Sequence, residues 1–155
     1  MSHYFDMLHE DESERMFKAP ILVSILIAGA DGDIDAKEIA EAISFTEKEA
    51  KSKSLLAGYF REVAQDFEDK IKILEQSYPY GSEQRESLII EELKELNMII
   101  PKLDPEFAKQ FYIALKTIAH KIATSSGGLL GINAVGSKEA KYIDLHMINN
   151  PSDLQ

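Results

Sequence analysis

Four carboxylates, Asp31, Asp33, Asp35 and Glu38, fall within eight residues directly after an apolar, helix-like run from Ile21 to Ala30. Gly32 stands where a left-handed residue would end that helix. Asp35 and Glu38 form a capping box: the Asp35 carboxylate accepts from the backbone at the third helical position, and Glu38 reaches back to the cap. The stretch therefore predicts a helix, a tight turn and a second helix. Only Asp31 and Asp33 have no structural task in that hairpin.

Like charges this close repel and raise one another's pKa values unless a cation or well-placed donors offset them. Two expectations follow: a hard divalent cation at the turn, or carboxylates that serve only as caps. Asp31 to Glu38 match positions five to twelve of an EF-hand loop, with the glycine, the apolar Ile34 and the final glutamate in place. Positions one and three fall on Ile27 and Gly29, which carry no ligating side chain, so a site of EF-hand affinity is not expected. A weaker site completed by water or a distant segment stays open. Oxygen ligands suit calcium, magnesium or manganese, and a histidine would tilt the choice toward zinc.

A second copy of the hairpin can be traced near the C-terminus. Ile122 to Gly127 lies on Ile27 to Gly32, and Val135 to Glu139 on Ile34 to Glu38, with only Glu139 keeping its acid and with a longer loop, Gly128 to Ala134, between. If the two hairpins lie side by side, Glu139 and His120 complete the ligand set that Ile27 and Gly29 fail to supply. The candidate metal residues are then Asp31, Asp33, Asp35, Glu38, Glu139 and His120. The other histidines, His3, His9 and His146, have no partner at a ligand spacing.

The run Ala28-Gly29-Ala30-Asp31-Gly32-Asp33-Ile34-Asp35-Ala36-Lys37-Glu38 resembles the hallmark of the TerB tellurite-resistance proteins and their relatives, a helix ending in small residues followed by Asp-Gly-x-Ile-Asp-x-x-Glu. The resemblance implies an all-helical domain of about this size, a similar hairpin near the C-terminus and a place in a tellurite or stress response. The lengthened second loop departs from that pattern.

At 155 residues, 45% of them apolar, the chain can bury one good core, expected over residues 1–150 with a frayed tail at 151–155. There is no cysteine, which excludes disulfides and thiolate metal sites. The N-terminus lacks a basic region followed by an apolar run, and Ile21 to Ala30 is too short to span a membrane, so a cytoplasmic setting is expected. Residues 1–47 hold eleven acids against three bases, a balance of −8 that leaves −2 of the chain's −10 for the rest. Phosphate neutralisation needs clustered lysine and arginine, which disfavours nucleic acid and favours a cation or a protein partner.

The spacing of apolar residues predicts about seven helices in one bundle, all-α. A short helix near 12–18 is followed by one from Pro20 to about 30, then one from Asp35 to about 44. Thr46 with Glu49 reads as a further capping box, opening a stripe from Leu55 to Leu74. Ser82 starts a helix carrying Leu88, Ile89, Leu93, Leu96, Ile99 and Ile100 that Pro101 bends or ends. Asp104-Pro105 is a cap and first-turn proline for a helix with Phe107, Phe111, Leu115, Ile118 and Ile122 inward. A last helix is expected over 137–149.

Glycines 127, 128, 131 and 136 invite a nucleotide loop, but the segment has no lysine or arginine and follows the negative end of a helix, whereas phosphate cradles use helix N-termini. Leu129, Leu130, Ile132 and Val135 make it apolar, a loop that folds over the core or binds a partner. No nucleophile elbow, His-Glu-x-x-His or cysteine nucleophile occurs, so catalysis is not expected, with an acid-pair hydrolase as a distant option. The expected function is a TerB-like protein that binds a divalent cation at its acidic hairpin and docks protein partners. The alternative is a metal-free helical interaction module.

Overall fold

Ten consecutive residues, Ala19 to Ala28, are buried. A helix that is apolar all round belongs at the centre of a bundle. It is the second half of α1 (Glu10–Ala28), around which α2 (Ala36–Ala50), α3 (Ala57–Gln65), α4 (Phe67–Ser77), α5 (Ser82–Lys94), the single turn α6 (Leu96–Ile99) and α7 (Pro105–Gly127) pack. The fold is all-α: six helices of nine residues or more plus that one turn, with no strand among the described residues. The computed structural model describes residues 2–29, 34, 36–77, 82–127 and 142–154. Among them, no helix is long and apolar enough to cross a membrane.

Proline 20 lies inside α1 and does not break it. Its missing N–H leaves the Met16 carbonyl, four residues earlier, without its helical donor. The Tyr59 hydroxyl of α3 donates to that carbonyl, and both side chains are fully buried. Burial also pushes the Tyr59 phenol well above its ordinary pKa, keeping it a donor. Tyr59 is the hub of an aromatic cluster with Phe5, Phe17, Phe60, Phe107 and Phe111, at centroid separations of 5.0 to 6.3 Å and mostly edge-on. The two helices expected over 12–30 are therefore one.

Other boundaries differ for local reasons. α2 continues past residue 44 because Thr46 is no cap: it is buried in mid-helix, and its hydroxyl donates to the Ile43 carbonyl. The stop comes at Ser52, which donates to the Glu49 carbonyl, and Ser54, which accepts from the Leu56 amide. The stripe from Leu55 to Leu74 divides into α3 and α4 at Asp66, and the helix from Ser82 breaks at Glu95, with Leu88 exposed. Pro101 falls in a 3-10 turn, Ile100–Lys102. α7 begins as expected, the Phe107 amide donating to Asp104 Oδ2 at 3.0 Å, and its five apolar positions are all fully buried.

Residues 142–149 form successive turns instead of a helix, with Leu145 at a positive φ of 48°; residues 137–141 lie outside the described residues. Asn97 holds this segment, donating to the Met147 carbonyl at 3.0 Å and accepting from the Asn149 amide at 2.8 Å. The tail expected to fray instead forms a 3-10 turn over Pro151–Leu154, with Pro151 buried.

Candidate functional site

The central helix α1 ends at Gly29, whose amide donates to the Ile25 carbonyl at 2.9 Å. Its carbonyl accepts from Arg85 Nη2 of α5 at 2.8 Å, and Arg85 is buried. A Cβ at position 29 would stand 2.6 Å from that Nη2, 2.9 Å from the Ile25 carbonyl oxygen and 3.1 Å from Cγ1 of Ile34. Only a glycine lets the guanidinium rest on the backbone here. On the far side of the turn, Glu38 occupies the third position of α2 and is buried, 2% exposed. In sequence, the acidic run from Asp31 to Asp35 is thus bounded by a buried arginine contact before it and a buried carboxylate after it.

Arg85 has a neighbour with a matching task. Glu86 accepts from the Tyr142 hydroxyl at 2.8 Å. Burial first, then the bond to Glu86, pushes the Tyr142 phenol from 10.0 up to about 12. Consecutive residues of α5 therefore hold the end of α1 and the segment that follows the proposed second hairpin.

Asp31, Asp33, Asp35 and Glu139 lie outside the described residues, as does the apolar loop 128–136. Glu38 is buried as described. His120 is exposed on the outer face of α7, beside Lys121 and one turn from Lys116. Among the described residues, no group of three or more histidine, aspartate or glutamate side chains is placed to hold a metal.

No protein-family model matches the chain, and no solved structure matches it. A protein of Methanothermobacter thermautotrophicus described as "Uncharacterized protein ORF11'" is 33% identical over 112 residues, 72% of either chain. The chain belongs to this protein's family. That description assigns the family member no reaction, so the chemistry of the turn rests on its own residues.

A guanidinium is a permanent cation with five donors in a fixed fork. Seated at Gly29, Arg85 places a positive charge at a backbone position two residues before Asp31 in the chain. Reading the turn alone missed it, because Arg85 lies 56 residues from Gly29. A signal was present nonetheless: Arg85, Ile89, Leu93 and Leu96 fall at helical spacing on one face, and all four are buried. An arginine in line with core positions must find an acceptor inside.

Proposed function

We propose that the chain is a non-enzymatic helical module that docks protein partners, with the acidic turn as a structural corner held by Arg85. The observation that supports this reading most directly is the guanidinium against the Gly29 backbone. We read it as a counter-charge from within the chain for the acidic run that follows Gly29 in sequence, the role for which a metal was the first candidate. The binding area lies on the outer helix faces, where Ile73, Met98 and Ile113 stand exposed. A cytoplasmic setting is part of the proposal.

Thermal unfolding with and without cations tests it. At neutral pH, about 5 mM calcium, magnesium, manganese or zinc should leave the melting temperature of the wild type unchanged, because a ligand stabilises only if it binds the folded state. Arg85→Met should lose about 1.5–3 kcal/mol, the contribution of a hydrogen bond from a charged donor. A wild-type melting temperature that rises with cation, less so as the carboxylates protonate at lower pH, would overturn this reading.

That outcome would favour a second reading, motivated by the buried Glu38 carboxylate at the edge of the acidic turn. In it, the chain is a TerB-like stress-response protein that binds a divalent cation through Asp31, Asp33, Asp35 and Glu38, with Glu139 or His120 completing the site. Asp31→Asn with Asp33→Asn should then abolish the cation response with little loss of fold.

A further inference from the structure

All 27 acids of this chain lie outside residues 107–138, a stretch that holds Lys109, Lys116, Lys121 and Lys138. The described part of that stretch is α7. Its inward side is core, whereas Lys109, Ile113, Lys116, Thr117, His120, Lys121 and Thr124 recur at three- and four-residue intervals along its outer side. Ile113 to Thr124 line an open depression of about 510 Å³. Its floor is less polar than its composition suggests. The Thr117 hydroxyl donates to the Ile113 carbonyl and the Thr124 hydroxyl to the His120 carbonyl, both at 2.9 Å, so each hydroxyl is taken up by the helix itself. Ile113 is 47% exposed among them. Lys116 sets its ammonium 5.5 Å from the centre of the Tyr112 ring, at the edge of the same face.

We infer that this face of α7 docks an acidic, amphipathic segment of a partner protein: an apolar side chain over Ile113 with carboxylates toward Lys109, Lys116 and Lys121. Charge complementarity selects that occupant. From Lys109 to Thr124 the outer side of α7 carries three lysines and no acid of its own, on a chain of net charge −10. A long polyanion such as duplex nucleic acid, or an extended anionic membrane, would reach past the stripe onto a chain whose residues outside 107–138 carry 27 acids against 13 bases, and be repelled. A short segment with a few carboxylates would not. From Lys109 to Lys121 the stripe covers about 18 Å at 1.5 Å per residue, a length matched by a helix of three to four turns.

The inference rests on the docking function proposed above, and one experiment separates the two. Peptides selected from a random 12-residue library on the full chain should be enriched in Asp and Glu around a Leu, Ile or Phe. In fluorescence-polarisation titrations, the selected peptides should bind Lys116→Glu/Lys121→Glu at least tenfold more weakly than wild type, and Ile113→Asp several-fold more weakly. Lys116→Gln/Lys121→Gln, with circular dichroism melts, guards against a folding defect. Selected peptides without acidic enrichment, or indifferent to these substitutions, would overturn the α7 assignment and leave the docking function standing; a library that yields no binder would overturn both. Lysine-dependent binding of phosphatidylserine vesicles or duplex DNA, or lysine-dependent self-association in sedimentation, would replace the peptide as occupant and so refute the inference.

Discussion

Replacing Tyr59 by phenylalanine should destabilise the protein only because Pro20 is present. Pro20 removes the donor that the Met16 carbonyl would have within α1, and the Tyr59 hydroxyl takes its place in a fully buried setting. Tyr59→Phe keeps the ring and its aromatic neighbours and leaves that carbonyl unsatisfied, at a cost of about 1–3 kcal/mol. For a chain of this size, each kcal/mol lowers the melting temperature by about 2–4 °C. In a Pro20→Ala background the amide of residue 20 can bond Met16 within the helix, and the same tyrosine substitution should cost under about 0.5 kcal/mol. The four proteins form a double-mutant cycle measurable by urea unfolding. Additive effects, to within about 0.5 kcal/mol, would show that the carbonyl does not depend on Tyr59 and would refute the account of an unbroken α1.

Gly29→Ala places a methyl against Arg85 Nη2 and the Ile25 carbonyl oxygen and should cost about 1–3 kcal/mol as overpacking, read from the urea midpoint. The Tyr142 phenol is raised from 10.0 to about 12 in the fold, so its contribution to stability is full below pH 10 and is lost as pH climbs to about 12; a pH series of melts should show this loss, and Tyr142→Phe should remove it. Glu12 is shifted the other way, below 4.5, by the His9 amide and then by Lys102, whose Nζ lies 2.8 Å from Oε2. Its contribution is present above pH 4.5 and is lost as pH falls through the lowered value, so Glu12→Gln should flatten acid unfolding below pH 4.5 in urea titrations.

Local chemistry was legible where both partners lie within one turn of a helix. Asp104-Pro105 predicts the start of α7, and the apolar spacing after it predicts the buried face, because the capping carboxylate and the amide that donates to it are three residues apart. The reading failed wherever a long-range partner decided the outcome. Pro20 reads as a helix start, and its compensation comes from Tyr59, 43 residues beyond the affected carbonyl. Thr46 with Glu49 has the letters of a capping box, but Thr46 is buried inside α2, where tertiary packing outweighs a cap worth about 1 kcal/mol. At the candidate site, the position of Glu38 at the start of α2 was legible and Arg85 was not, since nothing near the turn announces a cation from α5.

Arg85 also changes what the acidic turn has to explain. A cluster of carboxylates calls for a counter-charge, and a reading confined to the turn must bring that charge from solution. Arg85 and Glu86 sit side by side on α5, bonded to Gly29 and Tyr142 respectively. Successive residues on a helix differ by only about 1.5 Å along its axis, so the end of α1 and the segment after residue 141 meet α5 at one level on adjoining faces. The expectation that the two hairpins lie side by side rests on their likeness and on small residues that admit close helix approach. Four of the residues that would form a shared site, Asp31, Asp33, Asp35 and Glu139, lie outside the described residues. The described contacts make α5 a common anchor for the segments that flank the hairpins, one through a permanent cation and the other through a carboxylate. At Gly29 the missing Cβ is what admits the anchoring side chain, a role for that small residue that needs no ligand.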